Sequence, residues 1–159
     1  MANPLIVDAS PLIILARAGR IDLLTVLGTP IHVPESVGRE VQVHLDEAAA
    51  VLKSVDWLRA VPDAERSPLV RSWDLGAGES AVLEWAQAHR PAHAIIDDYA
   101  ARKLATVLAV RVTGTLGLAL LAKQKGVISS ARSLMEELRH AGLYLSEPLV
   151  EGALRLVGE

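Results

Sequence analysis

Short, wholly apolar runs alternate along this chain with stretches in which apolar residues recur every three or four positions, the signatures of buried strands and amphipathic helices. Leu5-Ile6-Val7 predicts the first strand. Ser10-Pro11 predicts a helix start, with Ser10 as N-cap and Pro11 at the first helical position; Leu12, Ile13, Leu15 and Ala16 supply the apolar face and Gly19 ends it. Arg20 to Leu27 predicts a second short helix stopped by Gly28, and Ile31-His32-Val33 a second strand. A helix begins at Pro34 and carries Val37, Glu40, Val41 and His44; the Ala-rich stretch Asp46 to Ser54 is helical, and Trp57 to Val61 is a strand. Asp63 to Leu75 has no period and reads as a connection containing a helical turn.

The second half repeats the alternation. Gly78-Glu79-Ser80 leads into a helix carrying Ala81, Val82, Trp85 and Ala86; His93 to Ile96 is a strand, Ala100 to Leu108 a helix, and Val110 to Val112 a strand ended by Thr113-Gly114-Thr115. Leu116 to Lys125 is a helix stopped by Gly126, Ser129 caps another reaching His140, Leu143 to Leu145 reads as a last edge strand, and Pro148 to Val157 closes the chain as a helix. Strands alternating with helices imply an α/β fold whose sheet is parallel and whose crossovers are right-handed. With no internal repeat or low-complexity segment, residues 1–159 read as a single domain.

Composition narrows the chemistry. The chain has no Cys, which excludes disulfides, thiolate zinc sites and a Cys nucleophile and agrees with a reducing cytoplasm. Its N-terminus lacks a basic signal-peptide region, and its apolar stretches are broken well short of the ~20 residues a membrane span needs. Net charge is −3 and aromatics make up 3%, so the chain carries neither a broad basic face nor a long base-stacking platform. Nucleic-acid contact, on this composition, has to be local and cation-assisted.

The candidate chemistry lies in acids. Asp8 closes the first strand, Asp97-Asp98 closes the strand at Ile95-Ile96, Glu40 lies within a helix, and Glu79 opens another. Ligands of an open parallel sheet bind outside the carboxyl ends of its strands, where Asp8, Asp97 and Thr113 all fall. Crowded carboxylates repel one another unless a cation neutralises them, and hard oxygen ligands point to Mg²⁺ or Mn²⁺. Each residue has a plainer explanation. Asp8, Asp97 and Asp98 sit where helix caps and turn formers sit, Glu79 suits the positive end of a helix dipole, and Glu40 and its neighbour Glu35 suit a solvated helix face. Ser10 reads as a cap or as a partner of Asp8, Arg102 as a surface residue or a phosphate contact, and the five His residues as structural or surface. The combination of acids carries the functional reading.

Taken in order, the segments Val7-Asp8-Ala9-Ser10-Pro11-Leu12-Ile13, Val33-Pro34-Glu35-Ser36-Val37-Gly38-Arg39-Glu40-Val41, Gly76-Ala77-Gly78-Glu79-Ser80, Ile95-Ile96-Asp97-Asp98 with Ala101-Arg102, and Val112-Thr113-Gly114-Thr115-Leu116-Gly117 resemble the PIN-domain superfamily. More narrowly they resemble its VapC-like branch, prokaryotic proteins carrying a V-T-G-T-x-G segment. The resemblance implies a three-layer α/β/α sandwich around a central, mostly parallel sheet, and a ribonuclease dependent on Mg²⁺ or Mn²⁺. It places the family's acids on Asp8, Glu40, Glu79 and the Asp97-Asp98 pair, with Asp8, Glu79, Asp97 and Asp98 as metal ligands. Ser10, Arg102, Thr113 and Thr115 take supporting or substrate-binding places. Glu79 departs from the Asp that many members carry, and reaches one methylene further. The resemblance also implies an RNA substrate, a small antitoxin protein as partner, and a homodimer. Its competitor is a binding or assembly module on the same fold that has lost catalysis. An aspartyl-phosphate hydrolase fits poorly, because position 10 is Ser where an Asp-x-Asp pair is needed, and a phospho-acceptor domain fits poorly because its acidic pair comes early, whereas Asp97-Asp98 is late.

Overall fold

The computed structural model describes residues 2–44 and 46–159; Met1, Leu45 and the side chains of residues 46–48 lie outside the description. Five short strands, β1 (Leu5–Val7), β2 (Ile31–Pro34), β3 (Leu58–Val61), β4 (His93–Ile95) and β5 (Arg111–Thr113), form one sheet in the order β3-β2-β1-β4-β5. Every neighbouring pair is parallel, so the sheet is fully rather than mostly parallel. Leu5, Ile6 and Val7 of the central strand are all buried, as expected of a strand covered on both faces. The edge strands β3 and β5 carry the exposed positions Arg59, Ala60 and Arg111.

The chain runs outward from β1 through β2 to β3, then returns across the sheet to β4 and moves on to β5. Right-handed crossovers travelling in opposite directions place helices on opposite faces. Helix α1 (Ala9–Arg17) and a 3₁₀ helix (Ile21–Leu27) connect β1 to β2, and α2 (Glu35–His44) with α3 (Asp46–Ser54) connects β2 to β3. The return passes through α4 (Pro68–Ser72) and α5 (Ala77–Ala88), and α6 (Tyr99–Val107) joins β4 to β5. Helices α7 (Thr115–Gln124), α8 (Ala131–His140) and α9 (Glu147–Leu156) follow. Helix α5 lies over β1, β2 and β4 and touches α2 and α6, whereas α7 packs on the 3₁₀ helix. A satellite cluster of Ala131, Met135, Val150, Ala153 and Leu154 fastens α8 and α9 to α7. In the main core Ile6, Leu15, Leu24, Ile31 and Leu83 are fully buried, each burial contributing roughly 1.5–3 kcal/mol. No helix among the described residues is long and apolar enough to cross a membrane.

The structure moves several predicted boundaries. Helix α1 starts at Ala9 with Asp8 in the N-cap position, two residues earlier than a Ser10 cap; Pro11 still falls in the first turn, where its missing N–H leaves no bond unmade. Strand β1 runs straight into the helix because the Asp8 N–H still donates to Ile95 O (3.0 Å) as the last rung of the sheet. Helix α8 is capped by Ser130 rather than Ser129, its side chain accepting from Ser133 N–H at 3.1 Å. The predicted helical turn within Asp63 to Leu75 is α4. The predicted edge strand at Leu143 to Leu145 is not a strand. Leu143 instead packs against the main core and Leu145 against the satellite cluster, so their apolar alternation is spent on anchoring a loop.

Candidate functional site

The strand order reverses between β1 and β4, and a crevice opens at such a reversal, outside the strands' carboxyl ends. A cavity of about 430 Å³ occupies this place, and Asp8, Glu40, Glu79, Asp97 and Asp98 all line it, together with Ser10 and Arg102. Leu116, Leu143, Tyr144, Leu145 and Leu149 form an apolar wall. Acids from four separate segments thus share one chamber. Glu35, the competing helix acid, lines a different and smaller groove with residues of α3 and β3.

Asp8 is the centre of the arrangement. It is only 2% exposed, it makes no cap hydrogen bond despite its N-cap position, and its Oδ1 has no hydrogen-bond partner. Burial pushes its carboxyl from the ordinary 3.8 up to about 8; the charge of Glu79 pushes the same way, the Ala9 N–H opposes, and Glu40 and Asp97 add to the rise. Glu40 is brought in by the contact of α2 with α5, made close by Gly78: a Cβ there would stand 3.1 Å from Glu40 Oε2, 3.3 Å from Asp8 Oδ1 and 3.3 Å from Val37 Cγ2. The two carboxylate oxygens are thus no further apart than those two distances added together, a span that one hydrated ion bridges. Asp63, accepting from Ser36 N–H at 3.1 Å, fixes the start of α2 from outside. Glu40 is an exposed residue, yet partial burial of its carboxyl and the charge of Glu79 hold it above the usual range, with His44 pulling it down. Glu79 is the third residue of α5 and folds back over Gly76, its Oε2 2.5 Å from where a Cβ would be.

The adjacent Asp97 and Asp98 have different surroundings. Asp98 is exposed and caps α6, its Oδ2 accepting from Ala101 N–H at 2.9 Å. Asp97 is held by Thr115, whose N–H donates to Oδ1 and whose hydroxyl donates to Oδ2, both at 2.6 Å. Thr115 itself is fully buried at the first turn of α7. Gly114 is needed here, since a Cβ would stand 2.7 Å from Arg102 Nη1 and 2.9 Å from Asp97 Oδ1. Arg102 has no ion-pair partner among the described residues, and its guanidinium borders the chamber. Thr113 is at its strand end, but its hydroxyl meets His93 Nε2 at 2.7 Å and does not line the cavity.

Among the described residues no group of three or more His, Asp or Glu is placed to hold a metal ion directly. The acids share a chamber without forming a finished cage. The donor set nevertheless suits a hard, hydrated divalent cation: Asp8 offers an orphaned oxygen, and each Asp97 oxygen keeps a lone pair beyond its bond to Thr115. Mg²⁺ retains several waters and takes only one or two carboxylates directly, so wide spacing among the remaining acids is compatible with it. The part of the apolar wall formed by Tyr144 and Leu149 escaped the sequence reading because the loop after α8 and the start of α9 carry none of the motif acids that marked the site.

Residues 4–159 match the family model DUF3368, described as a PIN domain. No curated protein and no solved structure matches the chain.

Proposed function

The chain belongs to the PIN-domain family, and we propose that it is a metal-dependent endoribonuclease of the VapC-like type, the toxin of a toxin–antitoxin pair. The single observation supporting this most strongly is Asp8: a buried carboxylate with an orphaned oxygen, at the reversal of a parallel sheet, facing Glu40, Glu79 and Asp97 across an open chamber. A cation is what such a group lacks. Bound there, Mg²⁺ or Mn²⁺ supplies charge neutralisation for a phosphodiester and a water of lowered pKa.

The protein's own residues then have separable tasks. Asp8 and Asp97 hold the cation, directly or through its waters. Thr115 keeps the Asp97 carboxylate aimed by gripping both of its oxygens. Glu79 and Glu40 complete the negative field, and Glu40, its carboxyl raised, is suited to hold a proton at the mouth of the site. Arg102 meets a phosphate oxygen from the rim. Asp98 supports the site by fixing the first turn of α6, and Ser10 borders the chamber beside Asp8. A single domain acting as a homodimer in the cytoplasm, with a small antitoxin blocking the crevice, completes the reading.

The test is cleavage of RNA in Mn²⁺ by wild type and by Asp8→Asn. The expected result is loss of cleavage in the variant and in EDTA; equal rates in the two proteins, or activity that survives EDTA, would remove the assignment. A second reading, a binding module without catalysis, draws on the absence of a direct three-ligand group among the described residues and on the folded-back position of Glu79. Calorimetric titration with Mn²⁺ separates the two, because a protein that takes up no metal at millimolar concentration is the module.

A further inference from the structure

We infer that Tyr144 is a stacking platform for an unpaired base of the substrate at the wall of the chamber; this rests on the nuclease reading of the same chamber. Tyr144 is 90% exposed, yet it lines the cavity that Asp8, Asp97 and Arg102 line. The two aromatic pairs among the described residues join His32, Trp85 and His89, and the one cation–π contact joins Lys103 to Tyr99, so the ring of Tyr144 is uncommitted.

Its exposure is not that of a loose loop. The Leu143 N–H donates to Leu138 O at 2.9 Å, and Arg139 Nη2 donates to Leu145 O at 2.9 Å. Leu143 is packed on the main core and Leu145 on the satellite cluster. The backbone enters this segment through Gly142 at φ +109°, a conformation closed to most side chains. The backbone that carries Tyr144 is therefore held on both sides, and its ring projects from between two anchored neighbours.

Charge decides what the ring meets. With a net charge of −3 the chain lacks the general phosphate attraction that supports most non-specific nucleic-acid binding. Affinity for RNA must then come from the cation, from Arg102 and from contacts indifferent to charge. A base face on an aromatic ring is such a contact and tolerates any sequence. In an A-form duplex both faces of each base are already stacked, and only unpaired nucleotides offer one to a ring in a concave site.

The experiment uses the full chain with Mn²⁺, an RNA hairpin carrying a single-stranded loop, and Tyr144→Ala, Tyr144→Phe and Tyr144→Trp. Cuts are expected in the loop and not in the stem. Tyr144→Ala should weaken single-strand binding, read by fluorescence anisotropy, by about tenfold and raise KM more than it lowers kcat. Phe should restore the loss, and Trp at the same position should restore it with quenching of indole fluorescence when the oligonucleotide is added. Wild type that binds and cuts while Tyr144→Ala matches it, or that binds and cuts the stem as readily as the loop, overturns the stacking role and leaves the nuclease reading standing. Tyr144-dependent binding with no cleavage upholds the stacking role and overturns the nuclease reading. A wild-type protein that neither binds nor cuts single-stranded RNA overturns both.

Discussion

Ionising Asp8 without a cation leaves a charge on a carboxylate only 2% exposed, with three further carboxylates facing it. Its carboxyl rises from the ordinary 3.8 to about 8, a displacement worth on the order of 5 kcal/mol at 1.36 kcal/mol per pKa unit. The folded protein therefore holds a proton on Asp8 that the unfolded chain has already released. The associated stability is fully present below the unfolded value and is lost as pH rises through the folded one. Between about pH 5 and about pH 8 the loss is roughly 3–4 kcal/mol, which for a chain of this size lowers Tm by about 10 °C. The assay is thermal unfolding in EDTA at these two pH values, for wild type and for Asp8→Asn, in which nothing titrates at this position. Half-buried His93, its pKa lowered by burial and by Arg111, contributes in the opposite direction, gaining stability as pH rises, and it cancels because both proteins carry it. Glu137 and Glu151, held below the usual range by Arg20 and Arg132, titrate beneath this window. Wild type should lose stability steeply, the variant should be nearly flat by comparison, and Mn²⁺ should abolish the wild-type slope by replacing the proton. Parallel slopes for the two proteins in EDTA would refute the account of Asp8 as a buried, uncompensated acid.

Substitutions at four further positions probe the parts around it. Gly78→Ala places a methyl group 3.1 Å from Glu40 Oε2 and 3.3 Å from Asp8 Oδ1, so α2 and α5 should be forced apart, at a cost of about 1–3 kcal/mol in urea unfolding and with weaker Mn²⁺ binding; unchanged Mn²⁺ affinity would show that the close approach is incidental. Thr115→Val keeps the backbone bond to Asp97 but removes the hydroxyl bond, and Mn²⁺ affinity by calorimetry should fall about 10-fold or more. Asp97→Asn and Asp98→Asn should separate, the first losing cleavage and metal, the second retaining both; Asp98→Ala should cost about 1 kcal/mol through the lost cap of α6, and equal losses of cleavage in the two Asn variants would contradict the division of roles.

The sequence made the architecture legible because a parallel sheet buries its strands on both faces, so Leu5-Ile6-Val7 and Ala94-Ile95 stand out as apolar runs ended by acids. It also made the shared chamber legible, since both acids follow strands that flank the reversal of the sheet. It misled at Leu143 to Leu145, where alternation expected of a strand arises from two anchors around an outward Tyr144. Three residues contain no information on whether their backbone finds a ladder. The division within Asp97-Asp98 was equally beyond reach of local reading, because the two side chains are identical and both stand before a helix. What separates them lies 18 residues away. Thr115, at the first turn of α7, grips Asp97 by both oxygens, while Ala101 takes Asp98 as the cap of α6. Gly114 admits that contact by having no side chain, as Gly78 admits Glu40 to Asp8. At both places a glycine in one segment sets the position of a carboxylate in another, so the geometry of the site is encoded in residues that carry no functional group at all.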